Sequence, residues 1–559
     1  MLELGGNAVD AAVAAGFVAG VVEPMETTLA GSGFMLVHAP EDGRAYSVEF
    51  APRAPAAARP DMFTIDTSRA LDRGLGVSVV VGDENVQGIK AAGVPATMTG
   101  LVEAHRRFGR LPLATVLEPA IALAHDGFEA DSYYALEVLA NLPALRSDPG
   151  AAAVFLANGD PFPVAHLGEA SLGTPPRVRQ AALGRTLELL AARGAAALLE
   201  GEIGDGLIET VKALGGILSR DDLRKAIPRI GEARRLALRD HEIWAPTAPC
   251  GTVTQYEILK IWMALYPDRA PVEDTPARIE HLAAATWHAF ADRYHWLGDP
   301  EVVPVPEEGL LADEYAASIA AAIRRNEPAP RPRDGEGAPW EVYAGRAVHD
   351  PWPFQMNSGP KPVWRPEGAT EPTSGTTHIS VIDRDGMAVS LTHTAANHFG
   401  SKVVCPKTGL LFDAALGWFN ARPGAANSIA GRKRPLANMG PVLLTKNGRA
   451  TAALGAPGGR RIISCVLQIA LNLIERGMNA EQAVAAPRID ASGSVVLASE
   501  RLEPVLGQLD PDKVPWRLVG EQHQPFNYEL ARPVLVTRDS AGRLEAVTDP
   551  YTKGYAIAL

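Results

Sequence analysis

The pattern of apolar and polar positions predicts a chain in which helices dominate the first two thirds. Residues 6–22 (GNAVDAAVAAGFVAGVV) are apolar almost throughout and indicate a buried helix. Helical periodicity returns over residues 98–128, 178–214 and 276–297. Residues 34–50 differ, because an apolar run and an alternating run flank a turn that contains glycine. That spacing predicts a strand and a β-hairpin early in the chain.

The last third has a different pattern, in which strands come before a helix. Residues 377–394 (THISVIDRDGMAVSLTHT) and residues 440–459 (GPVLLTKNGRATAALGAPGG) each contain two strand-like runs. An Asp-Gly or Asn-Gly turn separates the runs, which is a strong signal for a hairpin. Residues 460–477 then have the pattern of a helix that ends in glycine. Together these elements predict an α/β fold in which helices cover sheets.

A segment with no regular pattern, residues 326–375, joins these two parts. It is dense in proline, glycine and charged residues. Proline lacks a backbone N–H and blocks helices, so we expect no helix or strand there. We interpret the segment as a long exposed connection that leads directly into the first hairpin of the last third.

The composition is that of an ordinary globular protein. The 559 residues are 47% hydrophobic and 21% charged, and the net charge of −12 comes from interspersed acidic and basic residues. We therefore expect no nucleic-acid partner. The apolar run over residues 11–22 is shorter than the ~20 residues that cross a membrane, so we predict no membrane partner.

The start of the sequence and the cysteines bear on location and on metal binding. The chain begins without a basic leader segment, which predicts a cytoplasmic protein. Its first residues already belong to a predicted helix with no strand before it, so an incomplete amino terminus is the alternative. Cys250, Cys405 and Cys465 fit neither a disulfide framework nor a zinc pattern, and we predict no metal and no cofactor.

Thr376 is a candidate nucleophile. A threonine hydroxyl reacts poorly near neutral pH unless a base lies next to it. If the chain were cut just before Thr376, its own α-amino group, with an ordinary pKa of about 7.7–8.0, could take the hydroxyl proton. Gly375 would then allow the distorted backbone that an N-to-O acyl shift requires. Threonine is also favoured at the start of a β-strand, and these residues alone favour that structural interpretation.

The loop at residues 455–459 (GAPGG) is a second candidate feature. It lies between a predicted strand and a predicted helix, where backbone N–H groups can bind an anion. A simple turn is the more common meaning of such a loop. The chain has no G-x-S-x-G, H-E-x-x-H or G-x-x-x-x-G-K-[ST] motif that would point to another chemistry.

Sequence blocks along essentially the whole chain resemble the γ-glutamyltranspeptidase family of N-terminal nucleophile hydrolases. The blocks are GGNAVDAAVAA, GSGFMLV, VPATMTGLVEAHRRFGRLPL, EPAIALAHDGF, HAFADRYHWLGDP, TTHISVIDRDGMAVSLTHT and LGAPGGRRI. The resemblance implies a four-layer αββα sandwich, made as a precursor that cuts itself between Gly375 and Thr376. It implies a large subunit of residues 1–375 and a small subunit of residues 376–559.

The resemblance also assigns catalytic roles to particular residues. Thr376 matches the nucleophile for both self-cleavage and catalysis. Thr394 matches a second threonine that hydrogen-bonds the nucleophile. Gly458 and Gly459 match the pair whose backbone N–H groups form an oxyanion hole.

The residues that hold a glutamyl group in the family are replaced in this chain. They include an arginine for the α-carboxylate and an acidic block for the α-amino group. The residues at the matching positions are Val48, Ala396, Ala415, Trp418, Ala437 and Asn438. Truncating one partner of a buried charge pair typically costs ~2–5 kcal/mol. Ordinary glutamyl recognition is therefore not expected unless other groups replace these contacts.

Four residues are candidates for such replacement contacts to a substrate: Asn397, Asn438, Trp418 and Arg460. Trp418 could stack on a flat acyl group. Arg460 directly follows the two glycines matched to the oxyanion hole. The alternative interpretation is that Trp418 is repacked core and that Arg460 is solvated.

We therefore expect a self-processing amidohydrolase or acyltransferase that acts on a small-molecule amide. The acyl group on Thr376 is expected to be a non-standard one. A genuine glutathione hydrolase with a rebuilt pocket is the second hypothesis, and an uncleaved, inactive binding protein that keeps the fold is the third. We expect two subunits from one precursor, with a dimer of such heterodimers left open.

Overall fold

A computed structural model describes residues 1–68, 79–164, 176–247, 249–325, 375–493, 495–521, 529–551 and 554–558. The predicted connection over residues 326–375 lies outside this part of the chain, apart from Gly375. The helices are α1 (Ala8–Val22), α2 (Thr97–Phe108), α3 (Leu113–Asp126), α4 (Ser132–Ser147), α5 (Pro149–Phe155), α6 (Ala181–Arg193), α7 (Ala196–Leu199), α8 (Glu202–Ala213), α9 (Arg220–Arg224), α10 (Thr252–Leu265), α11 (Pro276–Trp296), α12 (Glu307–Leu310), α13 (Asp313–Arg324), α14 (Arg461–Ile474), α15 (Ala480–Ala485) and α16 (Glu503–Leu506). The strands are β1 (Ser32–Ala39), β2 (Arg44–Phe50), β3 (Arg229–Glu232), β4 (Arg234–Leu238), β5 (His241–Ala245), β6 (Thr377–Ile382), β7 (Ala388–Thr394), β8 (Val442–Lys446), β9 (Arg449–Gly455), β10 (Ile489–Asp490), β11 (Val496–Ser499), β12 (Trp516–Val519), β13 (Val534–Arg538) and β14 (Leu544–Thr548).

Two antiparallel sheets form the centre of the described structure. The first has the strand order β3-β2-β1-β7-β6, and the second has the order β14-β13-β9-β8-β5-β4. A smaller sheet has the order β10-β11-β12. Each large sheet combines strands from before and after the predicted cleavage point, so both predicted subunits are needed to complete either sheet.

The hydrophobic clusters show how the layers stack. Between the two large sheets, Leu36 and Ile382 of the first sheet pack with Trp244, Leu443 and Ala453 of the second. The other face of the first sheet packs against α1, α2, α3, α6 and α8. The other face of the second sheet packs against α10, α11, α13 and α14. The order is therefore helix, sheet, sheet, helix, which confirms the predicted four-layer α/β sandwich.

The strongest local patterns are the ones that the structure confirms. The apolar helix near the start is α1, the late hairpins are β6–β7 and β8–β9, and the helix after the GAPGG loop is α14. The sequence pattern missed β3, β4 and β5. β3 exposes three of its four residues, and β4 and β5 each begin with two polar residues, so their apolar runs are only three residues long. No helix in the described ranges is both long and apolar enough to cross a membrane.

Two buried histidines couple the stability of the first sheet to pH. His378 on β6 and His393 on β7 are buried, and burial lowers the pKa of each to about 3. A histidine in an unfolded chain has a pKa of about 6.5. Between about pH 6.5 and pH 3, the unfolded chain therefore binds protons that the folded chain does not bind. Stability falls as the pH falls through this window.

We expect acidification from pH 6.5 to pH 5 to lower the free energy of unfolding by about 2 kcal/mol for each buried histidine. His393→Gln should remove its share of that loss, because glutamine does not titrate in this range. Urea unfolding at the two pH values measures the difference. His125→Gln is the control, since His125 is partly exposed and pairs with Glu188. An equal pH-dependent loss in His393→Gln and in the unchanged protein would contradict the expectation.

Candidate active site

Strands β6 and β7 bring the candidate nucleophile into contact with its predicted partner. Thr377 pairs with His393 across these strands, which places Thr376 beside Thr394 at the strand ends. Both side chains are buried, and their hydroxyl oxygens are 3.2 Å apart. The β6–β7 hairpin therefore brings two threonines that are 18 residues apart into contact.

Both hydroxyls contact the carbonyl of Gly375, the group just before the predicted cleavage point. Thr376 Oγ1 donates to that carbonyl oxygen at 2.7 Å, and Thr394 Oγ1 donates to it at 2.5 Å. Thr394 Oγ1 also accepts from the backbone N–H of Ala396 at 2.8 Å, so its own proton is directed at the carbonyl. A donor held on a carbonyl oxygen stabilises the negative charge that nucleophilic attack creates there.

Gly375 lies where a side chain has no room. A Cβ atom at this position would be 2.4 Å from the carbonyl oxygen of Met25 and 2.9 Å from that of Asn397. Both neighbours are backbone atoms, which cannot rotate away. Close packing is therefore a second reason for glycine here, in addition to the backbone freedom that the predicted acyl shift would require.

The backbone nitrogen of Thr376 is held by an acidic side chain that the sequence pattern did not reveal. Glu26, in the loop after α1, accepts the Thr376 N–H on Oε2 at 2.8 Å. Its other oxygen accepts from the Tyr133 hydroxyl and, at 3.3 Å, from Arg532 Nη2. Arg532 Nη2 also donates to the Tyr133 hydroxyl at 3.0 Å. We call Glu26, Tyr133 and Arg532 the Glu26 cluster.

The glycine loop between β9 and α14 is connected to the nucleophile through the same cluster. The backbone N–H of Arg532 donates to the carbonyl of Pro457 at 3.0 Å, while the Arg532 side chain reaches Glu26. Gly458 has φ 140° and Gly459 has φ 61°, both in the region that favours glycine. A Cβ on Gly458 would lie 2.6 Å from the Cβ of Ala531. The loop thus keeps its shape because both positions are glycine.

The predicted substrate-binding residues have different surroundings. Trp418 is buried in an apolar cluster with Phe34, Cys250, Ala396, Ala437 and Met439, which we call the Trp418 cluster. Arg460 is 5% exposed rather than solvated, and its Nε donates to Ser492 Oγ at 2.7 Å. Asn397 Nδ2 is 3.4 Å from the carbonyl oxygen of Val86. These three candidates therefore each lie against different neighbours.

A buried arginine holds the segment that carries Asn438, and the sequence pattern did not single it out. Arg293 Nη2 donates to the carbonyl of Ala437 at 2.7 Å and to Asn438 Oδ1 at 2.8 Å. Arg293 Nη1 donates to the carbonyl of Cys250 at 3.1 Å. Burial lowers the pKa of Arg293 to about 10. Because this value is still well above 7, the side chain stays charged near neutral pH. Asn438 Oδ1 is therefore an acceptor for Arg293, and the amide nitrogen is the donor end of this side chain.

Val48 and the Trp418 cluster lie on different faces of the first sheet. Val48 packs with Met35 and Phe50 against the outer helices. Ala396 and Ala437, by contrast, belong to the Trp418 cluster, and the backbone N–H of Ala396 is bonded to Thr394. Ala396 therefore connects the apolar Trp418 cluster to Thr394, the neighbour of the candidate nucleophile.

Comparisons with known proteins agree along the whole chain. A family model described as Gamma-glutamyltranspeptidase matches residues 1–559. The Glutathione hydrolase proenzyme of Bacillus subtilis (strain 168) is 32% identical over 565 residues, covering 100% of this chain and 89% of that protein. The Acylase ACY 1 proenzyme of Pseudomonas sp. (strain V22) is 32% identical over 525 residues, covering 94% and 84%. Among solved structures, the cephalosporin acylase from Bacillus halodurans superposes with a TM-score of 0.78 at 21% identity, covering 100% of this chain and 92% of that one. That last likeness concerns the fold alone.

Proposed function

The chain belongs to the gamma-glutamyltranspeptidase family, and we propose that it is a precursor that cleaves itself before Thr376 and then hydrolyses an amide. The large subunit would be residues 1–375 and the small subunit residues 376–559. Thr376 would be the nucleophile of both reactions. Relatives named proenzymes, one a glutathione hydrolase and one an acylase, support both the cleavage and the reaction class.

The observation that carries this proposal is the pair of hydroxyls on the Gly375 carbonyl. Thr376 Oγ1 contacts the carbonyl that it would attack, and Thr394 supplies a second donor to the same oxygen. Attack would form a bond from Oγ1 to the carbonyl carbon and break the bond from that carbon to the Thr376 nitrogen. The hydroxyl proton passes to the departing nitrogen. Water then hydrolyses the ester, which leaves a carboxylate on Gly375 and a free amine and hydroxyl on Thr376.

In the cleaved enzyme, the new α-amino group would act as the base for the Thr376 hydroxyl. An α-amino group has an ordinary pKa of about 7.7–8.0, so part of it is neutral near pH 7. The substrate acyl group would form an ester on Thr376 and then pass to water. Gly458 and Gly459 lie just before α14, where backbone N–H groups and the helix dipole favour negative charge. This position supports their assignment as the oxyanion hole.

The acyl group is proposed to lack the charged α-amino and α-carboxylate groups of glutamate. The support is the Trp418 cluster, in which Ala396, Trp418 and Ala437 are buried together at positions that contact glutamate in the family. Placing an unpaired charge against such a surface is costly. Trp418 would form a wall of the acyl pocket, and Asn438 would donate one hydrogen bond from its amide nitrogen. Asn397 and Arg460 are further candidates for contact with the rest of the substrate.

Three p-nitroanilides that share one acyl chain length test this specificity. The γ-glutamyl anilide carries both charged groups, the glutaryl anilide lacks the amino group, and the butyryl anilide lacks both. We expect kcat/KM for the γ-glutamyl compound to be at least about tenfold below that for the butyryl compound, a difference of about 1.4 kcal/mol. The comparison of glutaryl with butyryl then reports whether the pocket accepts a carboxylate.

The reverse order would favour a different member of the family. If the γ-glutamyl anilide were turned over fastest, the chain would be a genuine glutathione hydrolase with a rebuilt pocket. If cleaved protein hydrolysed none of the three, the proposed acyl chain would be wrong. Protein that stayed uncleaved would instead favour an inactive binding protein.

A further inference from the structure

The Glu26 cluster contacts the nitrogen of Thr376 through Glu26, and the mechanism above gives it no role. All three members are buried, yet they come from distant parts of the chain: a loop after α1, helix α4 and the segment before β13. A buried carboxylate is expensive unless its oxygens are well paired. Here Tyr133 and Arg532 pair one oxygen, and the other is directed at the nitrogen that self-cleavage would release.

We propose that Glu26 is a positioning residue for the nitrogen of Thr376, first as an amide in the precursor and then as the α-amino group of the cleaved enzyme. Tyr133 and Arg532 fix the carboxylate of Glu26 in this position. The inference rests on the proposed cleavage before Thr376 and adds a residue to it.

In the precursor, the carboxylate acts on the leaving nitrogen. The Thr376 nitrogen must gain a proton as the bond to the Gly375 carbon breaks, and positive charge develops on it. A carboxylate oxygen already 2.8 Å away stabilises that charge without rearrangement. The same hydrogen bond fixes the peptide plane, so that Thr376 Oγ1 stays in contact with the Gly375 carbonyl.

In the cleaved enzyme, the same carboxylate influences when the α-amino group is a free base. An opposite charge within hydrogen-bonding distance favours the protonated amine. Arg532 has the opposite effect, because its positive charge disfavours a protonated amine nearby. Burial raises the pKa of Tyr133 far above its ordinary range, so its hydroxyl keeps its proton and remains a donor to Glu26.

Other titratable groups near the cluster are already engaged with partners. His393 Nδ1 is bonded to Thr27 Oγ1 at 2.7 Å, and burial keeps His393 neutral. Glu137, on the same helix as Tyr133, pairs with His398. Glu26 and Arg532 are therefore the charged side chains whose removal should shift titration of the amine in opposite directions.

The first test is the rate of self-cleavage, which needs no knowledge of the substrate. Glu26→Ala should slow cleavage at least about tenfold, because the leaving nitrogen loses its charged partner. Glu137→Gln is the matched control, since it changes a nearby half-buried carboxylate that pairs with His398 and has no hydrogen bond to Thr376 among the described residues. It should cleave at the rate of the unchanged protein. Denaturing gels of protein sampled over time after synthesis give both rates.

The second test measures the amine itself and separates positioning from a purely structural role. Trace acetic anhydride labels neutral amines, and mass spectrometry of the peptide that begins at Thr376 reports the labelling at each pH. Glu26→Gln should move the midpoint of labelling down by about one pH unit, and Arg532→Met should move it up. If the circular dichroism melt shows that Glu26→Gln does not fold, the labelling midpoint is measured in Arg532→Met and Tyr133→Phe instead.

The outcomes distinguish this inference from the proposed function. Opposite shifts for Glu26→Gln and Arg532→Met would support it. Cleaved protein whose labelling midpoint and cleavage rate do not change in any cluster variant would overturn it and leave the proposed function intact. If the unchanged protein were never cleaved, the proposed function would fail and this inference would fail with it.

Discussion

Thr376→Ala is expected to leave the purified protein as one uncut chain of 59.2 kDa and to abolish amide hydrolysis. Alanine removes the hydroxyl that would attack the Gly375 carbonyl carbon, and it leaves Thr394 Oγ1 only as a donor to the carbonyl oxygen. Removing a nucleophile from a catalytic set typically costs about 10⁴-fold or more in rate. Denaturing gels and the best substrate of the anilide series measure the two losses.

Two further variants make the Thr376 result specific. Thr376→Ser keeps a hydroxyl and should still be cleaved, which separates chemistry from folding. Thr377→Ala is the neighbouring control, because Thr377 begins β6 and makes no side-chain contact with the Gly375 carbonyl among the described residues. Cleavage between residues 375 and 376 in the Thr376→Ala protein would show that another group attacks this bond.

Thr394→Val should slow self-cleavage by about 10²–10³-fold, the usual effect of losing one donor to a developing oxyanion, or ~2.7–4 kcal/mol. Valine has nearly the shape of threonine, so the packing at the end of β7 is preserved. The Gly375 carbonyl keeps the Thr376 hydroxyl but loses the donor at 2.5 Å. The half-time of conversion from one chain to two, followed on gels, is the measurement.

Strand β7 supplies a matched control for this prediction. Thr392 lies two residues before Thr394 on the same face of the strand, and its hydroxyl contacts His378 instead of Gly375. Thr392→Val should therefore cleave close to the normal rate, and Thr394→Ser should cleave faster than Thr394→Val. Similar rates for the two valine variants would mean that the hydroxyl of Thr394 is not the relevant donor.

Local sequence patterns predict the strands that carry the site better than the side-chain contacts within it. The alternating runs on either side of an Asp-Gly turn lie close together in the sequence, and they predict β6 and β7. This hairpin places Thr376 beside Thr394. The catalytic meaning of these threonines came from the family resemblance, since a threonine at the start of a strand is ordinary. The four-layer fold likewise follows from local elements together with that resemblance.

The Glu26 cluster was not predictable from sequence for a physical reason. Glu26 and Thr376 are 350 residues apart, and Glu26 and Arg532 are 506 apart, so no spacing rule relates them. Their contacts exist because strands from both parts of the chain share the same two sheets. Arg293 is a similar case, since its position on a helix gives no sign that it holds the loop at Asn438.

At the positions that match the family's glutamate-binding residues, the sequence predicts a loss of polar contacts. It does not predict where the replacement side chains lie. The sequence indicated that polar contacts were lost, and the Trp418 cluster gives the result at three of those positions, Ala396, Trp418 and Ala437. Val48 differs, because it packs toward the outer helices and not into this cluster. Successive side chains of a strand point to opposite faces of the sheet. A shift of the strand register by one residue therefore moves each side chain to the other face.

Intact mass spectrometry of the unchanged protein, followed by sequencing from the new amino terminus, tests the central claim most directly. We predict two polypeptides, the smaller of which begins at Thr376 and ends at residue 559, with masses that sum to the whole chain plus one water. A single species at the mass of the full 559-residue chain, in protein that is folded and aged at neutral pH, would contradict it.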